Sequence, residues 1–395
     1  MNFAGPHVSA PAARPRTRPF VGIGQVPRSQ LERWFSLSGR PPQFDLARSG
    51  ATGLTVRQLL RLAAPQDVET YLEMALDYGP GVGSDRLRAA IGAAVGCPAE
   101  DVVVTHGAIE ALLLVCAASL TGRTAVAVAT PAYEGLFRAV EAAGGVAESV
   151  PVWSPGASAL DLARMFELDL YRYGAVVVNA PHNPTGLTAR ATDLAELADR
   201  CAEAGTTLVV DQVSLGTLDP SARSAVQQTR QSSAVVQVGD VSKSLGLGGL
   251  RVGWCAVPQP EGRNRIAELR DVTSLANSAP SQHLAVIALE NRWALSAAPT
   301  ARTNLDRLCS LVDELAPLDA WSRPSDGLVA FPPFPLRVPS RVFADRLRER
   351  CAVAVTPGSF FGFDRHLRLG LGLAPSLFEE ALERLAGEVD SGAVS

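Results

Sequence analysis

Residues 239–254 read G-D-V-S-K-S-L-G-L-G-G-L-R-V-G-W, and Lys243 within them is the only lysine in the chain. Lysine and arginine together number 36, so the other 35 are arginine. A guanidinium cannot give up its proton in a protein, whereas a lysine amine can be desolvated, deprotonated and used as a nucleophile. A chain that has replaced nearly every lysine by arginine keeps lysine where arginine cannot serve. The bland alternative is codon bias with one accidental survivor on the surface, and the surroundings argue against it. Ala234-Val235-Val236-Gln237-Val238 is an apolar run that reads as a buried strand delivering Lys243 to a strand end. A glycine-rich turn follows, then Arg251, a permanent cation on the next apolar run. A nucleophilic amine with a fixed cation nearby suits a carbonyl cofactor that carries phosphate.

The stretch resembles the Schiff-base signature S-K-x-x-x-x-x-G-x-R-x-G, standing here as Ser242-Lys243, Gly249, Arg251 and Gly253. That signature belongs to the fold type I, pyridoxal-phosphate-dependent aminotransferase superfamily, class I/II. The resemblance covers about residues 25 to 390. It implies that pyridoxal 5'-phosphate is held by Lys243, with Ser242 and Arg251 on its phosphate.

Upstream of Lys243, Thr207-Leu208-Val209-Val210 reads as a strand ending in Asp211. A carboxylate beside a pyridine nitrogen keeps that nitrogen protonated and makes the ring an electron sink. The family pattern is D-x-x-Y, and this chain reads Asp211-Gln212-Val213-Ser214, so Ser214 stands where Tyr usually donates to the cofactor's phenolate oxygen. Asp240 stands where many members have a phosphate-binding Ser. A carboxylate would repel phosphate, so Asp240 is expected to face away and hold a donor.

Ala175-Val176-Val177-Val178-Asn179 is another strand, followed by Ala180-Pro181-His182-Asn183-Pro184-Thr185-Gly186. The N-P-T-G string is a second specific match, and Asn183 is a neutral donor suited to the phenolate oxygen. His182 reads as a turn residue rather than a catalyst. Val102-Val103-Val104-Thr105, then His106-Gly107-Ala108-Ile109, then a helical pattern from Glu110, is the recipe for a dianion site: free N–H groups and the helix dipole both favour phosphate. The family usually has G-A-[ST] here, and Ile109 removes the hydroxyl. Ala125 to Ala129 is a strand leading to Thr130-Pro131-Ala132-Tyr133, an aromatic placed to stack on a pyridine ring.

Farther out, Tyr78-Gly79 to Ile91 resembles Y-G-x-x-x-G-x-x-x-L-R-x-A-I, and the family's Tyr here reaches the cofactor phosphate of the partner subunit. Tyr78 inherits that expectation, and Ser84 is placed to cap the helix that follows. Gly50, after Arg48-Ser49, is either a plain turn or the place where backbone approaches the substrate carboxylate. Near the other end, V-x-P-G-x-x-F-G over residues 355–362 with a later Leu367-Arg368-Leu369 is a third match. In the family that Arg grips the substrate α-carboxylate in a bidentate pair, as guanidinium geometry suits.

The chain has 395 residues, 47% hydrophobic and 19% charged, with net charge −4, which fits a soluble globular protein and implies no general nucleic-acid partner. Its 6 cysteines are scattered without C-x-x-C or His pairing, so they read as reduced packing residues in a cytoplasmic protein, with no metal site. No run approaches membrane-spanning length.

Strands alternating with helices over about residues 50 to 260 imply an α/β fold: a large domain with a mostly parallel sheet flanked by helices, plus a smaller α+β C-terminal domain. The expected organisation is a disordered arm over 1–24, an N-terminal segment over 25–50 joining the small domain, a large cofactor-binding domain over 51–280, and a small domain over 281–395. The resemblance implies a homodimer with the site at the interface.

It also implies that an amino-acid substrate displaces Lys243 from the cofactor and that the freed amine removes the α-proton. The L-E-R-W-F segment, the S-G-A turn at 49–51 and the 239–254 string look most like the capreomycidine synthase branch, whose members cyclise hydroxylated arginine in antibiotic pathways. The same fold houses enzymes that use S-adenosylmethionine. The expectation is therefore β- or γ-elimination, replacement or cyclisation in natural-product metabolism. The alternatives are an ordinary class I/II amino-acid aminotransferase and, more remotely, a ligand-sensing non-catalytic or regulatory protein on the same fold.

Overall fold

In a computed structural model of the chain, the described residues are 27–37, 41–214, 217–218, 229, 232–316 and 321–391. The N-terminal arm expected over 1–24 lies outside them. Strand β1 (Phe44–Asp45) precedes seven strands that pair into one sheet: β2 (Val102–Thr105), β3 (Ala125–Thr130), β4 (Val146–Pro151), β5 (Tyr173–Asn179), β6 (Thr207–Asp211), β7 (Val235–Asp240) and β8 (Gly253–Ala256). Their order across the sheet is β2-β8-β7-β6-β5-β3-β4, and only β8 runs against the others.

Every residue of β5 and β7 is buried. That is why these strands read as near-continuous Val runs: a parallel sheet is covered on both faces. Helices Ala108–Ser119, Glu134–Ala142 and Pro260–Asp271 pack Leu112, Leu136 and Ile266 on one face. Helices Asp85–Val95 and Ala279–Glu290 pack Leu87, Ile91 and Leu284 against β2 and β8 from the other. Ser84 caps the first of these, as its position suggests, its side chain accepting from the Leu87 amide.

The register aligns the strand ends. Asn179 lies opposite Asp211, Asp211 opposite Val238, and Asp240 opposite Gly253. The side chains that finish β5, β6 and β7 therefore share one edge of the sheet, where open α/β sheets place their sites.

The C-terminal third adds β9 (Val329–Ala330), β10 (Val353–Ala354), β11 (Thr356–Pro357) and β12 (Leu367–Gly370). β11, β12 and β9 form a three-stranded antiparallel sheet, while β10 pairs with β1 from the N-terminal segment. The Gly370 amide donates to Leu46 O at 2.7 Å, so the segment before residue 50 crosses directly over β12. Among the described residues, no helix is long and apolar enough to cross a membrane.

Candidate active site

A cavity of about 910 Å³ opens where the strand ends meet β12. Tyr133, Asn183, Asp211, Lys243, Arg251 and Arg368 all line it, so residues more than two hundred positions apart converge on one space.

Lys243 lies three residues beyond the end of β7, half-buried in the cavity wall. Burial holds its amine below the ordinary lysine pKa; Arg368 pushes the same way, and Asp240 opposes. Its carbonyl accepts the Ala51 amide at 2.8 Å. Gly50 packs against the same backbone: a Cβ there would come within 3.2 Å of Lys243 Cα. Gly50 is thus more than a plain turn, because it lets the N-terminal segment touch the lysine.

Asp211 ends β6 and is 9% exposed. Burial pushes its carboxyl up to about 7, with Asp240 adding to the shift, while Lys243 and the Val213 amide, 3.3 Å from Oδ1, oppose it. A carboxyl poised near neutrality, with no ion pair among the described residues, suits a protonated ring nitrogen.

Arg368, on β12, is 2% exposed. Nη2 donates to Ala47 O at 2.7 Å and Thr356 Oγ1 at 2.9 Å, and Nη1 donates to Asn183 Oδ1 at 3.2 Å. These oxygens are all neutral, and Nε is buried without a partner. Burial lowers the guanidinium to about 10. A buried cation held only by neutral acceptors suits a carboxylate brought by the substrate. Asn183 Oδ1 is taken by Arg368, which leaves Nδ2 to donate.

The opposite corner is built for an anion. Gly107, with φ +83°, begins the helix Ala108–Ser119, and a Cβ on it would run into the Arg251 guanidinium. Arg251 itself sits at φ 52°, held by bonds from Nη1 to Gly248 O and from Nη2 to His106 O, both 3.1 Å. Ser242 Oγ is buried with no partner. Ile109 lines the cavity with an apolar side chain that is 43% exposed.

Asp240 corrects the expectation made for it. It does hold donors, but it does not face away: it lines the cavity, its Oδ1 accepting the Ser242 amide at 2.8 Å and its Oδ2 the Ala108 amide at 3.4 Å. The start of a helix and a turn amide are local positive ends, and they draw the carboxylate in.

The contact expected of Ser214 is placed elsewhere. Ser214 is half-buried outside the cavity lining, its carbonyl accepting from Thr217 Oγ1 at 2.9 Å, and Val213 lines the wall instead. Tyr78 is 83% exposed and lies outside this cavity. His182 is buried, its Nδ1 2.8 Å from Thr185 Oγ1, and burial lowers it to about 4, which leaves it a neutral turn residue.

Two further residues were not singled out by the sequence. Glu32 lines the cavity from the helix Gln30–Leu37 and accepts from Tyr133 Oη at 2.6 Å. Burial and then Glu32 raise the Tyr133 pKa, which favours the protonated phenol. Asn179 donates from Nδ2 to Asp211 O at 3.1 Å and accepts the Asn183 amide at 2.6 Å, tying those two residues together. Glu32 reads as the solvated face of an amphipathic helix, and Asn179 as an ordinary strand end.

The residues fit pyridoxal 5'-phosphate. The unpartnered Ser242 hydroxyl, Arg251 and the helix start suit its phosphate, buried Asp211 suits its ring nitrogen, and the desolvated Lys243 suits its aldehyde. Among the described residues, no group of three or more His, Cys, Asp or Glu could hold a metal ion.

Comparison with known proteins agrees. Capreomycidine synthase from Streptomyces vinaceus is 31% identical over 377 residues, 94% of this chain and 96% of that protein. Aspartate aminotransferase from Pyrococcus abyssi is 26% identical over 348 residues, 81% of this chain and 87% of that one. Among solved structures, the PLP-dependent cyclase OrfR superposes with a TM-score of 0.79 at 28% identity, covering 96% of this chain and 99% of its own. Residues 55–385 match the aminotransferase class I and II family, and to that family of pyridoxal-phosphate-dependent enzymes the chain belongs.

Proposed function

We propose that this enzyme takes a free L-amino acid, removes its α-proton with Lys243, and then expels or replaces a group at the β or γ carbon, or closes a ring, in specialised metabolism. The observation that carries the first step is the meeting of a desolvated Lys243 with an Arg368 that has only neutral partners, in one cavity. Arg368 fixes the substrate by its carboxylate and so presents the α carbon to the lysine. When bound, the cofactor supplies the electron sink for the proton's departure. Asp211 holds the charge of the ring nitrogen, and Asn183 donates from its amide nitrogen. Ser242, Arg251 and residues Gly107, Ala108 and Ile109 hold the phosphate end, the last three through backbone amides. Lys243, as the neutral amine favoured by burial, accepts the α-proton.

The later steps draw support from the likeness to capreomycidine synthase and to the cyclase OrfR. Val213 rather than a hydroxyl donor beside Asp211 is consistent with a ring environment unlike that of a D-x-x-Y site. The second reading is ordinary amino transfer, favoured by the likeness to aspartate aminotransferase. Incubation with a panel of amino acids in deuterated water, read by mass spectrometry, separates the two. Our reading expects α-deuteration together with loss or cyclisation of a side-chain group; stoichiometric keto acid with a recoverable amine form of the cofactor would favour transamination.

We also propose a homodimer. Leu72, Leu76 and Tyr78, which are 64%, 85% and 83% exposed, share a segment, and Gly81 beside it packs near Leu275 O, next to exposed Val272. An apolar surface of this kind suits a second copy, and in such a dimer Tyr78 would take the role, implied by the resemblance, of reaching the partner's phosphate site. A monomeric mass in sedimentation would refute this.

A further inference from the structure

We infer that Asp240 sets how tightly this enzyme holds its cofactor, by offering its own carboxylate to the backbone amides that a phosphate group would take. Asp240 is 8% exposed and lies at the phosphate end of the cavity. Its two oxygens take the amides of Ser242 and Ala108, one at the turn before Lys243 and one at the start of the helix Ala108–Ser119. Ser242 Oγ is buried without a partner in the same corner, and the Arg251 guanidinium lies over Gly107.

A cofactor phosphate carries about −1.5 to −2 charges near neutral pH. It therefore meets a resident carboxylate as well as the donors built for an anion, and like charges at close range oppose each other. The bond to Ala108 is the longer of the two, 3.4 Å against 2.8 Å, so it is the one a phosphate displaces while Ser242 keeps Asp240 anchored. Ile109 brings only a backbone amide to offset that loss. The result is a site whose phosphate grip is weakened by one side chain of its own, Asp240.

The test is equilibrium titration of apoenzyme, followed by protein fluorescence, with pyridoxal 5'-phosphate and with pyridoxal, which lacks the phosphate. Asp240→Asn keeps an acceptor for the Ser242 amide and removes the charge. Asp240→Ser removes the charge and adds a hydroxyl donor. Both variants are expected to bind pyridoxal 5'-phosphate about tenfold more tightly or better, with pyridoxal affinity unchanged. Either variant binding pyridoxal 5'-phosphate no more tightly than wild type, with a wild-type melting profile, would overturn the inference. So would equal shifts for both ligands, which would place the effect on the ring or the fold. A wild-type chain that bound neither ligand would overturn the cofactor assignment as well.

Discussion

Tyr133 Oη donates to Glu32 Oε1 at 2.6 Å, and this bond closes the helix Gln30–Leu37 over the cavity. The same helix is docked beside it: Leu31 N and Ser29 Oγ donate to Glu134 Oε2 at 3.0 and 3.1 Å. A hydrogen bond to an ionised partner contributes about 1.5–3 kcal/mol at best, less where solvent reaches it. We expect Tyr133→Phe and Glu32→Ala each to cost about 1 kcal/mol of stability in urea unfolding. The double variant should cost little more than either alone. Additive losses would show that the pair does not act as a unit.

Arg368 is predicted to govern substrate rather than cofactor. Arg368→Ala should lower kcat/KM for the amino acid by about 2–5 kcal/mol of transition-state binding. Cofactor affinity, measured on the apoenzyme, should stay near that of wild type. Arg368→Lys should not rescue turnover, because a point charge cannot replace the fork that reaches Asn183, Ala47 and Thr356 together.

Asp211 makes apoenzyme stability depend on pH. Its carboxyl rises from 3.8 to about 7 on folding. Between those values the folded chain binds the extra proton, so stability falls as pH rises from about 4 to about 7 and stays low above. Asp211→Asn should remove that loss, stabilising the apoenzyme at pH 8 by on the order of 2–4 kcal/mol while leaving it near wild type at pH 4. Melting curves of the two proteins across this range check the sign. Equal pH slopes would contradict the assignment.

Gly107 leaves no room for a side chain beside the Arg251 guanidinium. Its φ of +83° disfavours any side chain, and a Cβ would strike Arg251. Gly107→Ala should weaken pyridoxal 5'-phosphate binding by about tenfold and cost about 1–2 kcal/mol of stability. Unchanged cofactor affinity would mean that Arg251 does not need its present seat.

Much of this was legible in the sequence because the sheet is buried on both faces. Its strands are therefore apolar runs, and the functional side chains come at their ends, as Asp211 and Lys243 do. Arg368 was legible from its local string. What was not legible depends on distance or on orientation. Glu32 and Tyr133 are 101 positions apart, and nothing local says that a helix acid points at a cavity. Asp240 was expected to avoid the phosphate corner on the strength of charge repulsion alone. The amides of Ala108 and Ser242, which attract it, belong to elements 132 and 2 positions away. The offset of Ser214 from Asp211 points it at the cofactor, but the chain turns at once and places Val213 in the wall.

The most direct test of the account is borohydride reduction of the holoenzyme followed by intact-mass and peptide analysis. Lys243 is the only lysine, so apart from the N-terminus there is one primary amine for the cofactor to mark. The account predicts a single reduced pyridoxyl phosphate adduct per chain, in the peptide that contains Lys243, and none in Lys243→Ala. An adduct that persisted in that variant, or that mapped to another residue, would contradict it.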